Sequence, residues 1–139
     1  MPKLLARGHQ VRVIDWYIYG DVLDAHPNLQ QIKGDIRDTD TLASALQGCD
    51  AVIHLACISN DPSAELNPEL TKSVNMDCFG PLVTASKAAG VRRFIYASTS
   101  SVYGLSDQPD VAEDHPLVPI TDYNRYKGLC EPILLEQQT

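Results

Sequence analysis

The stretch Gly90-Val-Arg-Arg-Phe-Ile-Tyr-Ala-Ser-Thr-Ser-Ser-Val-Tyr-Gly104 decides the fold. Its first glycine ends a long helical run from about Pro68 to Ala89. The apolar segment Arg93–Ala97 then has the length and residue types of a buried strand, and it runs directly into a cluster of hydroxyls. Working back toward the N-terminus, Ala51-Val-Ile-His-Leu-Ala56 is a second clear strand, followed by a polar loop at Ser59-Asn-Asp-Pro-Ser63. Asp38 to Gly48 reads as a short helix with an Asp/Thr start and a Gly stop, Leu29 to Asp35 as a weaker strand, and Val11-Arg-Val-Ile-Asp15 as the first strand. Leu4-Leu-Ala-Arg-Gly8 reads as the last turn of a helix. On the C-terminal side, a Pro-rich loop from Gln108 to Ile120 leads to a last helix beginning near Thr121. Strands alternating with helices of this length predict βαβ units, hence an α/β fold: a doubly wound parallel sheet with helices on both faces. No repeat, low-complexity tract or linker divides the chain, so residues 1–139 are expected to form a single domain.

Composition excludes several classes of function. At 139 residues and 44% hydrophobic, the chain has the material for one globular core. A net charge of −7 argues against a phosphate-backbone binder, which needs clustered Lys and Arg; only Arg92 and Arg93 sit together, so no nucleic-acid partner is expected. Cys49, Cys57, Cys78 and Cys130 are scattered with no C-x-x-C spacing, which indicates neither a zinc knuckle nor a redox motif and predicts reduced thiols. No metal is expected. No apolar run approaches 18 residues and no h-region opens the chain, so the reading is a cytoplasmic protein without a membrane partner.

Thr121-Asp-Tyr-Asn-Arg-Tyr-Lys-Gly128 carries the chemistry. Tyr123 and Lys127 stand at i, i+4, a spacing that places a phenol and an ammonium on one helix face. A nearby cation favours the phenolate and brings a tyrosine down from its usual value of about 10, toward service as an acid or base near neutrality. Tyr126, one residue from Lys127, faces elsewhere and reads as a packing aromatic.

In a parallel sheet, ligands bind beyond the carboxyl ends of the strands. Asp15, Asp35, Ala56-Cys57 and Ser98-Thr99 all end or closely follow a strand. Asp15 matches the acidic residue that accepts hydrogen bonds from an adenosine ribose in a dinucleotide fold, where it lies about 20 residues after a Gly-rich loop. Only 14 residues precede it, so that loop and its strand are expected to fall before Met1, with residues 1–8 the remainder of the following helix.

The ordered series Val-Ile-Asp15, Gly34-Asp-Ile-Arg37, Val52-Ile-His-Leu-Ala56, Val74-Asn75, Gly90–Ser98, Ser101-Val-Tyr-Gly104 and Tyr123-x-x-x-Lys127 resembles the extended short-chain dehydrogenase/reductase family, the NAD(P)-dependent epimerases and dehydratases of nucleotide sugars. The likeness covers nearly the whole chain. It implies a Rossmann-like sheet, NAD as cofactor with NADP less favoured because Asp15 repels a 2′-phosphate, and a nucleotide-sugar substrate. Arg12 and Arg37 are the side chains that weaken that preference. It further implies Tyr123 as the acid/base, Lys127 as its partner and a contact of the nicotinamide ribose, and Thr99 as the third catalytic member, with Ser98, Ser100 and Ser101 as rival hydroxyls. By the same resemblance Asp15 contacts the adenosine ribose, Asp35 and Ile36 the adenine, and Leu55 and Ala56 form the wall near the phosphates and ribose. Asn75 steadies the site. The family commonly dimerises through helices matching the long one and the catalytic one, so a homodimer is the assembly it allows.

The family's dehydratases carry carboxylates just after the catalytic hydroxyl, where this chain has Ser100 and Ser101, so epimerase or reductase chemistry is expected over 4,6-dehydration. His54 reads as a packed core residue, His115 as a solvated loop residue and Cys57 as a buried thiol. None of the eight glycines forms the G-x-x-G-x-x-G loop that holds a pyrophosphate. The expectation is a truncated NAD(P)-binding domain whose first strand is missing, leaving a gap in the sheet, and which lacks the C-terminal substrate-binding portion. Pro132 is expected to break or kink the last helix. The alternative is a non-catalytic remnant or interaction module of the same fold that no longer binds cofactor. The DNA upstream of Met1 separates the two: an in-frame Gly-rich loop supports the enzyme, a stop codon and ribosome site the module.

Overall fold

The computed structural model describes residues 1–107 and 109–138. Gln108, where the Pro-rich loop was placed to begin, lies outside the described residues. Helix α1 (Pro2–Ala6) leads through Gly8 into β1 (Val11–Asp15), which pairs in parallel with β2 (Leu29–Lys33), Val11 opposite Leu29 and Asp15 opposite Lys33. Helix α2 (Thr39–Leu46) follows, then β3 (Ala51–His54), α3 (Asp61–Leu66), α4 (Pro68–Lys72), α5 (Phe79–Ala88), β4 (Arg93–Tyr96) and α6 (Asp122–Leu135). β3 and β4 form a second parallel pair, Ala51 opposite Arg93 and His54 opposite Tyr96. Among the described residues no ladder joins β1 to β3, so the sheet is two separate pairs.

Helices hold the two pairs together. Leu42 and Leu46 of α2 pack on Leu82 of α5, with Val52 and Phe94 beneath them. The Arg12 guanidinium of β1 donates to the carbonyls of Ala45 (2.6 Å) and Gln47 (3.0 Å), closing the C-terminal end of α2, where unsatisfied carbonyls and the helix dipole favour a cation. A second core joins Phe79, Val83 and Cys130, with Phe94, Tyr96, Ile133 and Leu134 around it, and docks α6 on α5 and β4. Strand alternation turns Val52, His54, Phe94 and Tyr96 toward these helices, while the paired Ile53 and Ile95 on the other face remain 47% and 46% exposed.

Three elements depart from the sequence reading. The polar loop at Ser59–Ser63 already contains the start of α3, capped by Asn60 Oδ1 accepting from the Ser63 amide, with Pro62 in the first turn. The long helix from Pro68 is interrupted by a π turn at Ser73–Asp77, closed by Cys78 N–H donating to the Ser73 carbonyl. Pro81 supplies the reason, since it has no N–H for the Asp77 carbonyl and its ring crowds that carbonyl. Pro132 does not end α6, which runs on to Leu135. Packing of Cys130, Ile133 and Leu134 against Phe79 and Val83 carries the helix past the missing hydrogen bond.

Candidate functional site

The end of β4 and the helix α6 face each other through four side-chain contacts. Lys127, only 4% exposed, donates from Nζ to the Ala97 carbonyl at 2.7 Å, and its ammonium lies 4.9 Å from the centre of the Tyr96 ring. The Tyr96 hydroxyl reaches back to the Lys127 carbonyl at 3.4 Å. One turn further along α6, Glu131 accepts a short hydrogen bond from Ser98 Oγ. Between these anchors Thr99 leaves the strand and caps a 3-10 turn at Ser100–Tyr103, its Oγ1 accepting from the Ser101 amide at 3.3 Å. Gly104 ends that turn at φ +68°, where a Cβ would stand 2.1 Å from the Val118 carbonyl oxygen, so the backbone there accepts only glycine.

Tyr123 is half-buried in the first turn of α6 and lines a cavity of about 310 Å³ with Asp61, Glu65, Thr121 and Tyr126. Burial, then the neighbouring Cys57 and Asp61, push its phenol above the ordinary tyrosine value, and the nearby Asn60 backbone amide offsets this only in part. The direction is opposite to the lowering expected from Lys127. The physical reason is local: the phenol is desolvated, with Cys57 and the Asp61 carboxylate nearby, while the Lys127 ammonium is bonded to Ala97. Tyr126 is half-buried on the same cavity.

Beyond β3, Leu55 is 66% exposed and Ala56 is exposed as well, an uncovered apolar shelf at the carboxyl end of the strand. The loop behind it is clamped by Asn75 from the π turn, whose Oδ1 accepts from the Ile58 amide at 2.8 Å and whose Nδ2 donates to the Ile58 carbonyl at 2.9 Å. Asn75 is itself buried, and π turns recur where a helix must place one side chain out of phase. Cys57 on this loop is half-buried rather than enclosed, because Leu55 and Ala56 before it have nothing over them.

At the far edge, Asp15 is exposed at the end of β1 and its Oδ1 accepts from the Tyr17 amide at 2.7 Å. Asp35 takes the Arg37 side chain in a two-pronged contact, 3.0 Å from Nε and 2.6 Å from Nη2, which holds its carboxyl below the usual range. The same guanidinium donates to Ser73 Oγ at 2.8 Å and lies 5.3 Å from the centre of the Trp16 ring. Ile36, between Asp35 and Arg37 in sequence, is buried.

The structure therefore brings Thr99, Lys127 and Tyr123 to the α6 end and Asp15, Asp35 and Ile36 to the β1/β2 end, with Leu55, Ala56 and Asn75 at the end of β3. His54 is packed as expected, stacked on Tyr96 and tilted on Phe79 and Phe94, and burial with Lys127 lowers it to about 4. His115 is half-buried edge-on to Tyr103 rather than solvated, because its loop folds back on the 3-10 turn. Sequence reasoning missed the partners of Arg37, the Ser98–Glu131 bond and the Asp61–Thr121 contact described below. The Asn60-Asp-Pro start signal would have revealed α3, but side-chain pairings across the fold leave no spacing signal. All four cysteines are free, and burial pushes Cys78 and Cys130 up to about 11, which keeps them as inert thiols.

Parallel strand pairs with helices between them, and polar groups gathered beyond the strands' carboxyl ends, define a Rossmann-type α/β domain. The NAD dependent epimerase/dehydratase family matches residues 1–138, and the chain belongs to that family. It is 34% identical over 146 residues to a 3 beta-hydroxysteroid dehydrogenase/Delta 5-->4-isomerase of Mycobacterium tuberculosis, covering 99% of this chain and 38% of that protein. It is 29% identical over 134 residues to a UDP-glucose 4-epimerase of Lactobacillus helveticus, covering 95% of this chain and 41% of that protein. Among solved structures, a dTDP-glucose 4,6-dehydratase of Streptomyces venezuelae with NAD bound superposes with a TM-score of 0.85 at 29% identity, over 95% of this chain and 45% of that one. A UDP-N-acetylglucosamine 4-epimerase of Methanobrevibacter ruminantium gives 0.84 at 30%, over 91% and 42%. The chain thus spans about two fifths of the length of these relatives. Among the described residues no helix is long and apolar enough to cross a membrane.

Proposed function

We propose that residues 1–139 form one NAD(P)-binding unit of an enzyme that oxidises a secondary alcohol of a nucleotide sugar, with NAD as the redox partner. The observation that carries this reading is the Lys127 Nζ–Ala97 bond, which sets Lys127 at the carboxyl end of β4 just before Thr99, on the same helix as Tyr123 one turn earlier. The residues present fit NAD at its two ends. An exposed carboxylate at Asp15, at the end of β1, suits an adenosine ribose, the uncovered Leu55–Ala56 shelf at the end of β3 suits an apolar wall, and Lys127 suits the nicotinamide ribose. The glycine loop for the pyrophosphate is not among these 139 residues.

When bound, NAD supplies the hydride acceptor and donor. Tyr123 exchanges the proton of the reacting oxygen, and the Thr99 hydroxyl donates a hydrogen bond to that oxygen as charge develops on it. With its phenol raised, Tyr123 starts as a proton donor; service as the base needs Lys127 to turn from Ala97 toward the phenol. Asp15 accepts from ribose hydroxyls, Asp35 and Ile36 flank the adenine, and Asn75 keeps the Ile58 loop in place. Arg12 and Arg37, the two cations that would otherwise welcome a 2′-phosphate, are both held by other groups, which supports NAD over NADP. Ser100 and Ser101 in place of carboxylates support epimerisation or reduction over dehydration.

A second reading is favoured by the 34% identity to the hydroxysteroid dehydrogenase: the same proton-transfer set acting on a sterol alcohol. The test is an assay of the full-length protein that carries this sequence, with NAD, against a panel of nucleotide sugars and 3β-hydroxysteroids. Turnover of a nucleotide sugar that is lost in Tyr123→Phe supports the first reading, and turnover of the steroid alone replaces it with the second. No turnover of either, with no NAD binding by the full-length protein, overturns both.

A further inference from the structure

We propose that Asp61 is a positioning residue for the Tyr123 phenol, holding the first turn of α6 through the hydroxyl of Thr121. The inference rests on the reading of Tyr123 as the proton-transfer group and adds a residue to it.

Thr121 Oγ1 donates to Asp61 Oδ1 at 2.6 Å, a partly buried contact between residues 60 apart in sequence. The same Oγ1 accepts from the Asn124 amide at 3.3 Å, which makes Thr121 the N-cap of α6. One hydroxyl thus ties the start of α3 to the helix that carries Tyr123 two residues later. A carboxylate at this place also faces the positive end of the helix dipole. Asp61 is held firmly from its own side. Asn60 before it adopts φ 65°, ψ 157°, a backbone region that is strained for any residue but glycine, and strain of this kind persists only where the surroundings impose it. Those surroundings are visible: Asn60 Oδ1 caps α3, and Asn75 clamps Ile58 by both its amide and its carbonyl.

Asp61, Thr121 and Tyr123 line the same cavity of about 310 Å³. The groups acting on the phenol are Cys57 and Asn60 from the loop after β3 and Asp61 from the first turn of α3; Glu65 of α3 and Asp122 and Tyr126 of its own helix line the same cavity, and Lys127 on that helix is turned to Ala97. Of these, Asp61 is the carboxylate latched to the helix start, and it works against the phenolate. The latch therefore does two things: it sets where the phenol sits, and it holds a carboxylate near the phenol that adds to burial and Cys57 in raising it.

The test needs neither cofactor nor substrate, so it can fail while the proposed function stands, and the reverse. The full-length protein that carries this sequence is labelled with 13Cζ tyrosine, Tyr123→Phe assigns the resonance, and its titration is followed by NMR in variants shown to be folded by circular dichroism. Asp61→Asn keeps an acceptor for Thr121 but removes the charge, and the Tyr123 midpoint is expected to move down. Thr121→Val, which breaks the latch, is expected to move it the same way, Thr121→Ser to restore the native midpoint, and Glu65→Gln to leave it in place. An unchanged midpoint in both Asp61→Asn and Thr121→Val overturns the proposal, as does a shift in Thr121→Ser equal to that in Thr121→Val. Should Asp61→Asn fail to fold, the Thr121 pair decides alone.

Discussion

The Lys127 ammonium donates to the Ala97 carbonyl at 2.7 Å, so the cation of the Tyr-x-x-x-Lys pair is bonded to the end of β4. That bond places a buried positive charge against Tyr96 and within reach of His54, and it makes α6 and β4 one unit. Replacing Lys127 with Met leaves the Ala97 carbonyl without this donor, and a loss of about 1–3 kcal/mol in unfolding free energy is expected from urea titration. The same substitution is expected to raise the His54 titration point, read by NMR, because Lys127 is one of the two causes that depress it.

His54 makes stability depend on pH in a defined window. Its folded value of about 4 lies below the unfolded 6.5, so between these values the unfolded chain binds the extra proton and the native state does not. Stability is therefore lost as pH falls from 6.5 toward 4, by roughly 3 kcal/mol from this group at the limit. His54→Phe, which keeps the aromatic cluster with Phe79 and Tyr96, is expected to flatten that acid slope in urea unfolding measured from pH 7 to pH 4.

Asn75 satisfies both backbone groups of Ile58 with one side chain. Asn75→Ala is expected to cost about 1–3 kcal/mol, since two partly buried groups lose their partner. Asn75→Asp is expected to cost more, because a carboxylate cannot donate to the Ile58 carbonyl and is buried facing it. Thermal unfolding of the two variants beside the native chain checks the order.

Arg37 covers Trp16, the single tryptophan of the chain, from 5.3 Å. Arg37→Ala uncovers the ring, and its emission is expected to shift to the red. In the full-length protein, Asp35→Asn releases the guanidinium, and the ratio of NADP to NAD affinity is expected to rise, measured by calorimetry with both nucleotides.

Pro132 removes one hydrogen bond from the interior of α6. Pro132→Ala restores it, and a gain of up to about 3 kcal/mol in urea unfolding is expected. The 139 residues alone are expected to bind NAD weakly or not at all in calorimetry, because the pyrophosphate would meet no glycine loop; tight binding would show that other groups replace it.

Strand periodicity and glycine stops were enough to place β1 at Val11–Asp15 and the starts of β3 and β4, because a buried strand declares itself in apolar runs of the right length. The π turn, the passage of α6 through Pro132 and the start of α3 were not legible, since each is decided by packing or by one capping bond that local propensity does not weigh. Tyr123 and Lys127 were named from residue type and spacing, and Thr99 from the resemblance to the family. What the sequence determined by itself is which chemical groups the chain carries and on which elements they ride, because covalent order and periodicity set both. The tertiary structure alone decided their electrostatic state. Whether the Lys127 cation faces the phenol or a carbonyl, and whether a carboxylate stands beside Tyr123, depends on contacts such as Asp61 to Thr121, between residues 60 positions apart that only folding brings within 2.6 Å.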